Sequence, residues 1–181
     1  MSDLKLEIFV DADWGSGKDR KSTTGFVALI NSASVSWQSK CQPTVALLST
    51  KAKYMAATQA TKEAIWLHQL LSELGHPQKG ATIIFEDNSG CIELAKNPIH
   101  HACTKHINIQ HHFVQEKVLS GEVKLVHCST NEQLANIMTK QSALFQHLNF
   151  FWGGLVYFNM LSSIQRNSTP VFVNSTPFWN A

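Results

Sequence analysis

The sequence predicts an α/β fold: a five-stranded mixed sheet flanked by helices. Two observations carry this. The chain opens with three β-patterned runs linked as hairpins, and then changes to helical periodicity interrupted by single short strands. Hairpins make antiparallel neighbours, whereas helical crossovers make parallel ones, so one sheet must contain both. A third observation concerns chemistry: aspartates collect where strands end.

Leu4 to Val10 alternates apolar and charged residues, as a half-buried strand does, and runs into Asp11-Ala12-Asp13. Gly15, Gly17 and the charged run Lys18 to Lys21 form the turn that follows. Thr24 to Ile30 and Val35 to Ser39 are the second and third strands, separated by the polar Asn31-Ser32-Ala33-Ser34. From Thr50 to Leu74 the period becomes helical, with Ala57, Ala60, Ala64, Leu67, Leu71 and Leu74 on one face. That face starts small, so the helix can lie close to a sheet. Gly75, His76 and Pro77 stop it. Ala81 to Phe85 is a fourth strand ending in Glu86-Asp87, and Ser89 to Lys96 a short helix halted by Asn97-Pro98. A helix over Ile107 to Leu119, a strand over Glu122 to His127 and a helix over Asn131 to Lys140 complete the order βββ-α-β-α-α-β-α.

Composition sets wide bounds. The 181 residues are 44% hydrophobic, enough for one packed domain, and mean hydropathy is close to zero. A net charge of +2 neither requires nor excludes a nucleic-acid partner. Nine histidines add positive charge only below about pH 6.5. Cys41, Cys91, Cys103 and Cys128 are scattered and form no CxxC pair. With a strand pattern where a signal peptide would stand, they are expected to be reduced thiols of an intracellular protein, cytoplasmic or nuclear.

Residues 141–181 differ in character from residues 1–140, which are read as the domain. They hold nine aromatics and a single charged residue, Arg166, and are expected to lie outside the fold. Phe150 to Leu161 is apolar but falls short of the ~20 residues a spanning helix needs, so no membrane partner is expected. Asn167 and Asn174 open glycosylation sequons without other signs of secretion.

In this element order the first and fourth strands are parallel neighbours, so Asp11 and Asp87 should lie side by side. Two adjacent carboxylates repel unless a cation separates them, which suggests Mg²⁺ or Mn²⁺. Strand-end aspartates also open turns, and the pattern alone leaves both readings open.

A resemblance goes further. Asp11-Ala12-Asp13-Trp14-Gly15, Asp19-Arg20-Lys21-Ser22-Thr23-Thr24-Gly25-Phe26, Val35-Ser36-Trp37-Gln38-Ser39-Lys40 and Gln42-Pro43-Thr44-Val45-Ala46-Leu47-Leu48-Ser49-Thr50 are one set of segments. Glu63-Ala64-Ile65-Trp66-Leu67, Asp87-Asn88, Ala95-Lys96-Asn97-Pro98, Thr104-Lys105-His106-Ile107 and Asn131 to Lys140 are the other. In order and spacing they resemble the ribonuclease H part of copia-type retrotransposon Pol polyproteins, across about three quarters of the chain. The resemblance implies a ribonuclease H-like fold and hydrolysis of the RNA strand of an RNA–DNA hybrid, with an upstream reverse transcriptase as companion. It also implies two Mg²⁺ ions held by four carboxylates, which activate water and stabilise the leaving oxygen.

By position those carboxylates are Asp11, an acid early in the long helix, Asp87, and an acid in the last helix. The family usually reads Ser-Thr-Glu-Ala-Glu-Tyr at the first helical position, where this chain has Ser49-Thr50-Lys51-Ala52-Lys53-Tyr54. It usually reads Leu-Ala-Asp at the second, where this chain has Leu134-Ala135-Asn136. Asp11 and Asp87 therefore remain as metal ligands by family, while Lys53 and Asn136 stand at the lost carboxylates. Two carboxylates and an ammonium cannot balance two divalent ions, so metal binding should be weakened or lost and cleavage absent. With Thr50 as N-cap, Lys53 would also break a capping box, a local rule broken without visible gain.

Two functions remain: an inactive ribonuclease H domain, or a pseudoenzyme kept as a nucleic-acid-binding module. Binding would use Arg20, Lys21, Ser22 and Thr23, with Lys40 and Gln42, and also Lys105 and His106, as phosphate contacts. His100, His101, His106, His111, His112 and Cys103 lack the spacing of a zinc site. His127 and Cys128 end the last strand near the cleft without an assigned role. Trp14, Trp37 and Trp66 read as core or cleft-wall aromatics.

Overall fold

The computed structural model describes residues 4–15, 19–97 and 105–140, the side chains of 105–108 excepted. Strands β1 (Leu6–Asp13), β2 (Thr23–Ile30) and β3 (Ala33–Cys41) are followed by α1 (Ser49–Glu73), β4 (Thr82–Glu86) and α2 (Ser89–Lys96). Helix α3 (Lys105–Leu119), β5 (Val123–His127) and α4 (Asn136–Thr139) follow. The expected order holds, and the five strands form one sheet in the order β3-β2-β1-β4-β5. β1–β2 and β2–β3 are antiparallel, β1–β4 and β4–β5 parallel.

The β2–β3 turn is tighter than the sequence suggests. Only Asn31 and Ser32 form it, both at positive φ (48° and 68°), the primed-turn geometry that matches strand twist. β1 is longer than expected: pairing continues through Asp11↔Gly25 to Asp13↔Thr23, so both acids lie within the strand.

Small residues decide the packing. Ala52, Ala56, Ala57, Ala60 and Ala64 are buried along α1, and with Leu6, Ile8, Val10 and Ile84 they form the main core. Leu74, counted on the buried face from periodicity, is instead the exposed C-cap of α1. A smaller cluster of Val27, Leu29, Leu134, Ile137 and Met138 joins β2 to α4. Gly25 permits that approach, because a Cβ there would meet Met138 Cβ at 2.6 Å and Thr139 Cγ2 at 2.7 Å.

The helix expected over Asn131 to Lys140 shrinks to the four residues of α4. Gln133 explains the change. Its buried side chain turns inward, and Nε2 donates to the carbonyls of Val10 (2.9 Å) and Phe85 (3.2 Å), bracing β1 against β4. A residue pinned to two strands cannot also serve a regular helix at the surface. Among the described residues no helix is long and apolar enough to cross a membrane.

Candidate functional site

The parallel register places the site. Phe9 pairs with Phe85, and Asp11 and Asp87 each lie two residues further along, side by side as the element order predicts. α1 delivers Lys53 between them. Its Nζ donates to Asp11 Oδ1 at 2.6 Å and to Asp87 Oδ1 at 2.5 Å, and lies 3.7 Å from Glu86 Oε1. The helix is capped by Leu48 without a side-chain bond, so Lys53 sits in the second turn and the capping-box reading of Thr50 is corrected. The gain missing from the sequence is thus one ammonium held between two carboxylates, Asp11 and Asp87, with Glu86 beside it.

The opposite side of Asp11 is also held. Its Oδ2 accepts from Thr139 Oγ1 at 2.5 Å and lies 3.5 Å from Lys140 Nζ. Asn136 is part of the same wall. Its Nδ2 donates to the Thr130 carbonyl at 2.8 Å, and its Oδ1 accepts from Lys140 Nζ at 2.7 Å. Asp87 Oδ2 accepts from Thr130 Oγ1 at 3.2 Å. The four positions taken from the resemblance, Asp11, Lys53, Asp87 and Asn136, therefore line one cleft.

Burial and charge compete here. Burial disfavours the ionised form of Asp11, yet Lys53, Thr139 and Lys140 hold its carboxyl below the usual range. Burial likewise opposes the charge on Lys53, and Asp11 and Glu86 outweigh it, raising its pKa above the ordinary lysine value. Glu86 behaves oppositely: burial pushes it up to about 8 despite Lys53. Its Oε1 accepts from the Asn88 N–H at 3.1 Å, while Oε2 is buried with no partner. Glu86 was not singled out from sequence. The signal was available, because Thr82, Ile84 and Glu86 share the buried face of β4 by period two.

These residues do not fit a pair of divalent ions. The Lys53 ammonium occupies the place between Asp11 and Asp87 that a bridging cation would need. At 4 Å and an effective dielectric near 20, repulsion costs about 4 kcal/mol per unit of metal charge. Among the described residues no group of three or more His, Cys, Asp or Glu side chains is arranged to hold a metal.

Of the expected phosphate contacts, some come together and some are corrected. The register Thr24↔Lys40 and Thr23↔Cys41 brings exposed Lys40 to the strand that follows exposed Arg20 and half-buried Lys21, with Thr23 half-buried at its start. Ser22 and Gln42 are buried and do not present side chains to this surface. Ser22 Oγ accepts from the Gly15 N–H, and Gln42 Nε2 donates to Thr24 Oγ1 and the Ala52 carbonyl. The side chains of Lys105 and His106 lie outside the described residues, as do His100, His101, Cys103 and residues 141–181. His111 stacks on Tyr54 at 4.0 Å between ring centroids, which makes it a packing residue. Trp14 and Trp66 are exposed rather than core, while Trp37 packs against the α4 cluster.

No family model matches the chain. It is 43% identical over 140 residues to the retrovirus-related Pol polyprotein from transposon TNT 1-94 of Nicotiana tabacum, covering 77% of this chain and 10% of that protein. It is 38% identical over 148 residues to the retrovirus-related Pol polyprotein from transposon RE1 of Arabidopsis thaliana, covering 81% and 10%. The chain belongs to the retrovirus-related Pol polyproteins. This Pol segment spans about a tenth of the length of those relatives. Its fold is that of ribonuclease H. LC11-RNase H1, isolated from compost by a metagenomic approach, superposes with a TM-score of 0.57 at 12% identity, covering 80% of this chain and 98% of that one. The same enzyme in complex with an RNA/DNA hybrid gives 0.55 at 11% identity, covering 76% and 95%.

Proposed function

We propose that this Pol segment is a ribonuclease H domain in which two-metal cleavage of the RNA strand has been lost. One observation carries the reading: the Lys53 ammonium bridges Asp11 and Asp87, with 2.6 and 2.5 Å contacts. In the family chemistry, Mg²⁺ would there activate water and stabilise the leaving oxygen. In this chain the cleft carries an immobile cation that neither binds water as a metal does nor lowers its pKa. Asn136, tied to Thr130 and Lys140, offers one neutral oxygen where the family pattern has a carboxylate.

The test is Mg²⁺-dependent cleavage of an RNA–DNA hybrid by this chain and by Lys53→Glu/Asn136→Asp. No cleavage is expected from the first and partial recovery from the second. Robust cleavage by the unmodified chain would sink the proposal.

A second reading, a nucleic-acid-binding module, is favoured by exposed Lys40, paired with Thr24 on β2, the strand that exposed Arg20 and half-buried Lys21 precede in the chain. Such side chains grip phosphates without reading sequence. Affinity for a hybrid should then fall linearly with log salt, and absence of binding at low salt would remove this reading.

A further inference from the structure

Asp11 and Asp87 are satisfied without a metal. Each of their four carboxylate oxygens accepts a hydrogen bond from this chain. Lys53 Nζ reaches Oδ1 of both, Thr139 Oγ1 donates to Oδ2 of Asp11, and Thr130 Oγ1 donates to Oδ2 of Asp87 at 3.2 Å. A carboxylate pair kept for divalent ions leaves oxygens open to them. A second ammonium completes the arrangement. Lys140 Nζ donates to Asn136 Oδ1 at 2.7 Å and lies 3.5 Å from Asp11 Oδ2. It stands between Asp11 and Asn136 as Lys53 stands between Asp11 and Asp87.

The two ammoniums differ in access. The Lys53 side chain is 13% exposed and that of Lys140 35%. An ammonium has three donors; Asn136 takes one from Lys140 and Asp11 faces another, which leaves one for a ligand entering the cleft. The charge of the walls is also balanced. Asp11 and Asp87 face Lys53 and Lys140, a neutral set, and buried Glu86 beside Lys53 adds at most one negative charge. A cleft of four carboxylates carries roughly −4 until its ions arrive, and it repels a phosphodiester. This cleft has no such barrier.

We propose that this cleft binds a backbone phosphate of an RNA–DNA hybrid without any divalent ion, with Lys140 as the phosphate contact and Lys53 as the fixed counter-charge to Asp11 and Asp87. The inference rests on the nucleic-acid-binding reading above and deepens it: the cleft joins the Lys40 surface as a point of attachment, and its grip is independent of metal. The ligand class follows from Lys140, a compact cation that holds a phosphate oxygen as a point charge and positions a strand without reading its sequence. The hydroxyls of Thr130 and Thr139 are spent on the carboxylates, so Lys140 carries the contact.

The test measures fluorescence anisotropy of a labelled blunt RNA–DNA hybrid with the full chain at low salt, in EDTA and in Mg²⁺ at matched ionic strength. The unmodified chain should bind at least as tightly in EDTA as in Mg²⁺, a readout that needs no variant. Lys140→Gln should weaken binding several-fold and lower the slope of log affinity against log salt by about one, the mark of one lost phosphate contact. Lys53→Glu/Asn136→Asp, which returns the carboxylates, should bind about tenfold more weakly than the unmodified chain in EDTA and tighten when Mg²⁺ is added. Tighter binding of the unmodified chain in Mg²⁺, or a salt slope untouched by Lys140→Gln, overturns the inference. Lys40→Gln separates it from the reading it rests on: hybrid binding that depends on Lys40 and ignores Lys140 keeps that reading and removes the cleft. No binding at low salt in either buffer removes both.

Discussion

The Lys53 ammonium lies 2.6 Å from Oδ1 of Asp11, an ion pair that ties the second turn of α1 to the end of β1. Asp11 is fully buried and the Lys53 side chain is only 13% exposed, so the pair is little screened by water. Removing one partner of such a pair leaves the other charge stranded. Lys53→Met is expected to lose about 3 kcal/mol of stability. Urea denaturation of the two proteins measures this, and equal midpoints would show the pair to be energetically idle.

If Lys53 holds the cation position as proposed, the fold should be indifferent to divalent ions. A metal that bound the folded state would raise the melting temperature in proportion to its affinity. For the unmodified chain, melting curves in Mg²⁺ and in EDTA are expected to coincide. A rise in Mg²⁺ would mean that a divalent ion is bound despite Lys53.

Glu86 imposes a pH dependence of the opposite sign to Asp11. Its pKa is raised from 4.5 to about 8 on folding. Between those values the folded state holds a proton that the unfolded chain has released, so stability falls as pH rises through this window and levels off above about pH 8. The Asp11 pKa is lowered on folding, so its contribution is present above 3.8 and is lost as pH falls through the lower folded value. Glu86→Gln should flatten the decline between about pH 4.5 and 8 and leave the Asp11 limb below it. Unaltered curves between pH 5 and 8 would refute the burial argument for Glu86.

Gly25 is where α4 meets β2. An added Cβ would lie 2.6 Å from Met138 Cβ, and Ala135 O stands 3.2 Å away, so the helix must move. Gly25→Ala is expected to cost about 1–3 kcal/mol by overpacking. Displacement of α4 should also pull the Thr139 hydroxyl from Asp11. Thermal denaturation together with amide exchange at Lys140, whose N–H bonds Asn136 O, reports both effects.

Gln133 braces two strands through one amide. Gln133→Leu leaves the Val10 and Phe85 carbonyls without that donor, an expected loss of about 2–4 kcal/mol from unmet buried acceptors. Chemical denaturation checks the size. A near-neutral result would mean that water replaces the amide.

The order of elements, the sheet's mixed character and the adjacency of Asp11 and Asp87 were legible in the sequence. They depend on local periodicity and on the directions of chain crossings, which side-chain pattern records. The resemblance also pointed to Lys53 and Asn136, and the structure places both beside Asp11 and Asp87 through Lys53 itself, Thr130 and Lys140. The α4 boundary was not, because a long-range bond from Gln133 to Val10 overrides local helical pattern. Ser22 and Gln42 looked like surface phosphate contacts because hydroxyls and amides in a basic stretch usually face water. Their burial depends on partners seven and ten residues away, Gly15 and Ala52, that only the folded chain brings near. Whether Lys53 was damage or a replacement cation was likewise undecidable along the chain. Its charge repels a metal in either case, and only the packing of α1 on β1 and β4 puts one ammonium within reach of Asp11, Asp87 and Glu86 together.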